Sequence, residues 1–310
     1  MRIGIDLGGT NTVVCLCKED GSLLDKTRLP TRTGQPAQMQ ADMKQMALSL
    51  CQKQGVNPNE VTQIGIGVPG SFDKQTATLT FGTNLGMNNV CFAHAFQPEF
   101  RCPVRMDNDA NCAALGETIA GAGRSCRHTV MVTLGTGVGG GIVIDGKLYT
   151  GCNDVAGEIG HMVIVAGGRP CNCGRRGCLE SYASATGLIH LAEDALEGRT
   201  DSLLCTMRDQ NGGKLTAKMV CDARDQGDPV ASQVFEQYCM YLGCGLVSFV
   251  NILQPDRIIL GGGVAGYGEK LLAPLREIIA RESFKGVHKN TELVQALLGN
   301  DAGLIGAAML

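Results

Sequence analysis

Apolar and polar positions alternate with period two over Ile3-Gly4-Ile5-Asp6-Leu7 and again from Thr12 to Cys17, with Gly8-Gly9-Thr10 between them. That pattern predicts a strand, a glycine turn and a returning strand. The same arrangement recurs at residues 130–134, a glycine-rich turn over 135–141, and Ile142-Val143-Ile144, which an Asp145-Gly146 hairpin turn closes. Two copies of one strand–turn–strand unit predict two related halves. Met39, Met43, Met46, Leu50 and Cys51 fall at helical spacing and stop at Gly55. Further strands are expected at 64–68, 103–106 and 257–260. Helices are expected at 110–119, 188–196, from Asp228-Pro229 towards Asn251, from near Gly268, and over 301–310. The stretch 82–89 reads as irregular. Gly135, Gly137 and Gly140 satisfy G-x-G-x-x-G, but a dinucleotide fold needs a helix directly after the glycines. A strand pattern follows instead, so that reading is rejected.

Composition narrows the class. The chain has 310 residues, 44% hydrophobic and 18% charged, enough for one large core or two domains of ordinary size. A net charge of -3 gives no basic footprint, which argues against nucleic acid as the main partner. No apolar run approaches the roughly 20 residues of a membrane span, and no export signal precedes Asp6. A cytoplasmic protein with its fifteen cysteines reduced is expected, three of them committed to metal. The 43 glycines cluster in loops, where backbone commonly approaches a ligand.

Chemistry concentrates in the stretch G-E-I-G-H-M-V-I-V-A-G-G-R-P-C-N-C-G-R-R-G-C-L-E, residues 157–180. His161, Cys171, Cys173 and Cys178 offer four ligands to a soft divalent metal, and a closed set of four is structural rather than catalytic. Scattered thiols beside a surface histidine are the alternative. Glu158 and Glu180 bracket the cluster. The hairpin tip at Gly9-Thr10 is either an ordinary polar turn or a phosphate cradle, with Asp6 at its mouth suited to Mg²⁺. Asp109 falls at a helix start, where it is either a cap or an ionised carboxylate facing a pocket. Asn84 alone is a turn residue. A third glycine turn, Gly261-Gly262-Gly263, suits close contact with a base or ribose.

Taken together, I-D-L-G-G-T at 5–10, N-D-A-N at 108–111, the turn at 135–141, G-E-I-G-H at 157–161, C-N-C-G-R-R-G-C-L-E at 171–180 and L-G-G-G at 260–263 appear in order. The chain resembles the ROK family of bacterial sugar kinases and sugar-responsive repressors over essentially its whole length. The cysteine motif is the specific part, since I-D-L-G-G-T is shared with the wider actin-like ATPases. The resemblance implies an α/β fold: a duplicated ribonuclease-H-like unit of the actin/hexokinase type, two lobes around a central cleft. The expected division is 1–117 plus 299–310 for a small lobe and 118–298 for a large lobe carrying the zinc motif. It also implies roles. Asp109 matches the catalytic base, and Asn84, Asn108, Glu158, His161 and Glu180 match the residues that hold the sugar. Gly9-Thr10 and Thr136-Gly137 match the phosphate loops, Gly262-Gly263 the adenosine contact, and Asp6 the Mg²⁺-associated aspartate. His161 would serve twice, one ring nitrogen on zinc and the other towards the sugar.

The expected reaction is phosphoryl transfer from ATP to the C6 hydroxyl of an aldohexose such as glucose or its epimer allose, with structural Zn²⁺ and with Mg²⁺ accompanying ATP. Many glucose-specific relatives carry a tryptophan shortly after the asparagine–leucine pair. Here Asn84-Leu85-Gly86-Met87-Asn88-Asn89 follows, and the chain has no tryptophan. That leaves N-acetylglucosamine, N-acetylmannosamine and fructose as alternative substrates. A sugar-sensing repressor without its DNA-binding domain is the reading from a different class. The expected partners are the sugar, ATP and further copies of the chain, as a homodimer or homotetramer.

Overall fold

The computed structural model describes all residues from Met1 to Leu310, which form two compact units. The first comprises 1–126, 141–156 and 297–310; the second comprises 127–140 and 157–296.

In the first unit, β1 (Arg2–Leu7), β2 (Asn11–Cys17) and β3 (Leu23–Pro30) form an antiparallel meander. Helix α1 (Pro36–Gln54) buries Met39, Met43, Met46, Leu50 and Cys51, the predicted stripe, and ends in a left-handed Gly55. Strand β4 (Gln63–Val68) then pairs parallel with β1. A separate three-stranded sheet follows, made of β5 (Ser71–Asp73), β6 (Thr78–Gly82) and β7 (Met87–Cys91). The stretch 82–89 is therefore more ordered than its sequence suggests: it contains the end of β6, a short 3₁₀ turn over Thr83–Leu85, and the start of β7. Its pairing partners supply the order that local propensity lacks. Strand β8 (Val104–Asn108) pairs parallel with β4, and α2 (Asp109–Ala120) follows without a break. The main sheet runs in the order β3-β2-β1-β4-β8.

The second unit repeats this plan. Strand β9 (Thr129–Leu134) is followed by β10 (Val138–Ile144) and β11 (Lys147–Leu148), the last two joined through a left-handed Asp145-Gly146 turn. The distal part of β10 and all of β11 fall in residues counted with the first unit. Short α3 (Glu180–Ala183), then α4 (Ala185–Ala195), α5 (Leu203–Gln210) and α6 (Ala217–Asp225) lead to the long α7 (Pro229–Leu253). Asp228 caps α7 through the Ala231 N–H, as the Asp-Pro pair predicts. Strand β12 (Arg257–Gly261) pairs parallel with β9, α8 (Glu269–Glu282) follows, and β13 (Glu292–Gln295) pairs parallel with β12. The order β11-β10-β9-β12-β13 reproduces that of the first sheet, which is the duplication read from the glycine turns. No helix is long and apolar enough to cross a membrane.

The chain returns to the first unit as α9 (Ala302–Ala308), whose backbone lies against both the sheet and α2. Glycines permit that approach. A Cβ on Gly306 would stand 1.6 Å from the Cys112 carbonyl oxygen, and one on Gly65 would stand 1.7 Å from the Ala307 carbonyl oxygen. Both obstacles are backbone, so relief requires a helix to move. Gly306→Ala is therefore expected to destabilise the protein by about 3 kcal/mol, the upper range for overpacking. An unfolding free energy from urea titration within about 0.5 kcal/mol of wild type would contradict this packing.

Candidate active site

The first unit gathers Asp6, Gly9, Thr10, Asn84, Asn108 and Asp109 at the ends of β1 and β8 and the turns beside them. The hairpin tip is closed by Gly8 N–H donating to the Asn11 carbonyl, 3.1 Å, and by Thr31 N–H donating to the Thr10 carbonyl, 3.0 Å. Gly9 is needed for packing as well as for ligand access. A Cβ there would stand 2.9 Å from the Asn84 carbonyl oxygen, so the turn rests on the 3₁₀ segment that exposes Asn84.

Asn108 and Asp109 divide the two roles that sequence left open. Asn108 is the cap, its side-chain oxygen accepting the Asn111 N–H at 2.8 Å. Asp109 is the first helical residue and is exposed, with one oxygen accepting the Ala110 N–H at 2.8 Å. Relieved of capping, it sits where the helix dipole favours a negative charge. Burial, reinforced by the charge of Asp109, pushes the Asp6 carboxyl up from its ordinary 3.8 to about 6. A divalent cation would reverse that shift by favouring the ionised form.

Sequence reasoning missed a third carboxylate beside these. Asp107 is only 2% exposed and forms an ion pair with Lys74 Nζ at 2.6 Å. The neighbouring N-D pair hinted at it, but its partner lies 33 residues away.

The second unit gathers Thr136, Gly137, Glu158, His161, Cys171, Cys173, Cys178, Glu180, Gly262 and Gly263. The ligand atoms of His161, Cys171, Cys173 and Cys178 all lie within 4.8 Å of one another. His161 Nδ1 is 3.6 Å from Cys171 Sγ, and Cys173 Sγ is 3.7 Å from Cys178 Sγ. Zinc bonds of about 2.0–2.3 Å place tetrahedral corners roughly 3.3–3.8 Å apart, so these two separations and the His/Cys donor set fit such an ion. Burial and the neighbouring sulfurs push the Cys178 thiol up to about 12, crowding that a cation would reverse. Glycines 174 and 177 both adopt left-handed backbone in the loop that brings the sulfurs together. With Nδ1 among the thiols, His161 Nε2 is turned the other way, 4.0 Å from Glu158.

Glu180 links this cluster to the second glycine turn. One oxygen accepts the Val138 N–H at 3.0 Å and leaves no room for a side chain on Gly137; the other is 3.7 Å from Cys171 Sγ. Beside the turn opens a cavity of about 510 Å³, lined by Thr136, Gly263 and Tyr267, with Ala217, Lys218 and Asp222 of α6 on one wall. Gly262 is left-handed and too close to Leu134 backbone for any side chain. The α6 wall was not foreseen, although Thr216 capping an amphipathic run marks its start.

A duplicated β-meander–parallel sheet with a glycine turn in each copy defines the actin/hexokinase class of α/β proteins. The chain belongs to the ROK family, whose sequence model matches residues 2–310. It is 37% identical to the glucokinase of Halalkalibacterium halodurans, covering 99% of this chain and 94% of that protein. It is 36% identical to the glucokinase of Thermotoga maritima, covering 99% and 96%. The crystal structure of a ROK family glucokinase from Streptomyces griseus in complex with glucose and AMPPNP superposes with a TM-score of 0.75 at 33% identity, covering 99% of this chain and 97% of that one.

The raised Asp6 carboxyl carries a sign that can be checked. Between about pH 4 and 6 the folded protein holds a proton that the unfolded chain has released, so this group's contribution to stability falls as pH rises through that window. Asp6→Asn is thus expected to stabilise the nucleotide-free protein by about 1–3 kcal/mol near pH 7.5, with the gain vanishing near pH 4. Thermal unfolding at the two pH values measures it. An equal effect at both would mean that ionisation of Asp6 is not the cause.

Proposed function

We propose that this chain is an ATP-dependent hexose kinase that phosphorylates the C6 hydroxyl of an aldohexose such as glucose or allose. The observation that carries the reading is the placement of Glu180. A carboxylate that would hold a sugar hydroxyl is fixed on one side by a phosphate-type turn and on the other by the His/Cys cluster. Identity of 33–37% to full-length glucokinases supports the same activity.

In this reading Asp109 accepts the proton of the attacking hydroxyl. Phosphoryl transfer has a loose transition state, so positioning and charge stabilisation matter more than strong basicity. Asn84, Asn108, Glu158, His161 and Glu180 supply paired donors and acceptors to the sugar hydroxyls. A sugar lacking one hydroxyl leaves a buried group unpaired, at a cost of about 1–3 kcal/mol. Gly9-Thr10 and Thr136-Gly137 offer backbone N–H groups to the phosphates, and the cavity beside Gly262-Gly263 takes the adenosine. Mg²⁺ accompanying ATP, with Asp6 as its nearest carboxylate, would neutralise charge on the phosphates. Zn²⁺ held by His161, Cys171, Cys173 and Cys178 is structural. A cytoplasmic location and a homodimer or homotetramer belong to the same reading. N-acetylglucosamine, N-acetylmannosamine and fructose are the competing acceptors, and ATP consumption against a hexose panel separates them.

Asp109→Asn should keep the fold and sugar binding but lose about 10²–10⁴ in turnover, the usual contribution of a general base. Calorimetric sugar binding and coupled kinetics should part company in this variant; a drop in turnover of less than about tenfold would remove Asp109 from the role.

Protein purified without chelator should contain one zinc per chain by elemental analysis. Cys173→Ser should lose the metal and weaken sugar binding about tenfold or more, because the loop ahead of Glu180 and the His161 ring lose their anchor. Unchanged sugar affinity in metal-free protein would sink the structural-zinc reading.

A further inference from the structure

The first unit contains an ion pair that the reaction as described does not use. Asp107 is the penultimate residue of β8, two residues before Asp109, and its carboxylate takes three contacts. One oxygen accepts the Asn108 N–H at 2.8 Å and the Asn111 side-chain N–H at 2.8 Å; the other meets Lys74 Nζ at 2.6 Å. Lys74 is delivered by the β5–β6 turn, where the Asp73 carboxylate accepts the Gln75 and Thr76 N–H groups and so fixes the turn. Lys74 also lies 3.5 Å from the half-exposed Asp154.

We infer that Lys74 and Asp107 form a positioning pair, which fixes the start of α2 and thereby aims Asp109 at the attacking hydroxyl. The inference rests on the kinase reading above and adds residues to the same site. The physical ground is the geometry around Asn108. Asn108 must keep its side chain as the α2 cap while Asp109 projects as an exposed carboxylate that accepts only the neighbouring Ala110 N–H from the helix. Asp107 holds the Asn108 backbone and the Asn111 side chain at once, so strand end and first helical turn are tied through one carboxylate. Burying a charge is costly unless it is paired, and Lys74 Nζ at 2.6 Å is the cation set against this buried carboxylate. The pair thus carries the order of the small sheet β5–β7 to the end of β8. It touches neither reactant in this reading, so it acts through Asp109.

The test uses the full chain and three variants, Lys74→Met, Lys74→Arg and Asp107→Asn. The last keeps an acceptor for Asn108 and Asn111 but no charge for Lys74, so it reports even if Lys74→Met folds poorly. Misplacing a catalytic group by about 1 Å can cost roughly 100-fold. Lys74→Met and Asp107→Asn are accordingly expected to lower kcat by about 10- to 100-fold with KM for ATP within about twofold of wild type. Lys74→Arg should restore kcat to within about threefold, since it keeps the charge. Hydrogen exchange of the 108–111 amides should quicken in Lys74→Met and Asp107→Asn and return towards wild type in Lys74→Arg. That exchange readout is independent of turnover, and wild-type turnover on hexose separately controls the functional reading. Unchanged 108–111 exchange, or a kcat that stays at the wild-type value while only thermal stability falls, would overturn the positioning role.

Discussion

Three carboxylates, Asp6, Asp107 and Asp109, crowd one end of the first sheet, and burial together with the charge of Asp109 pushes the Asp6 carboxyl up. The surrounding structure treats each differently. Asp107 is buried and takes Lys74. Asp109 sits at a helix start and in solvent. Asp6 has neither, and its carboxyl is pushed up to about 6. A divalent cation beside Asp6 would favour its ionised form.

The second unit solves a different problem, that of holding polar side chains still on an irregular loop. Residues 157–179 contain only one short 3₁₀ turn and isolated bridges, Val163 with Cys178 and Pro170 with Arg176. Scattered backbone hydrogen bonds, such as Ile164 N–H to the Gly177 carbonyl at 2.9 Å and Leu179 N–H to the Met162 carbonyl at 2.8 Å, hold it in place of a regular element. The ligand atoms of His161, Cys171, Cys173 and Cys178 converge within 4.8 Å of one another, where a bound cation would add a cross-link. Glu180, the first residue of α3, joins this loop to the glycine turn by accepting the Val138 N–H.

The two halves share one strand order but have diverged in what they insert into it. In the first, a three-stranded sheet stands between β4 and β8 and delivers Asn84 and Lys74. In the second, the His/Cys stretch stands between β11 and α3, and a helical run, α4 to α7, separates it from β12. The repeated core supplies glycine turns at equivalent strand ends; the insertions supply the specific chemistry. This division agrees with the general separation of fold from function, in which sites are grafted onto a common frame.

Local pattern by itself determined a good part of this protein. Alternation and glycine punctuation marked both strand–turn–strand units, the methionine stripe and Gly55 marked α1, and Asp228-Pro229 marked α7. The C-x-C-x4-C spacing with a preceding histidine marked the cluster, because all of its ligands are close in sequence and need only a tight loop to converge. What sequence did not show depends on partners far along the chain. Strands β5 to β7 are short, with no sustained alternation, and exist because they pair with one another. The α6 wall of the nucleotide-sized cavity comes from residues some 80 positions beyond the turn it faces. Asp107 reads as one more polar residue in D-N-D until Lys74, 33 residues earlier, is brought against it. Only tertiary structure could assign Asn108 to the cap and leave Asp109 free, since either residue type caps a helix equally well and the choice is made by where β8 ends.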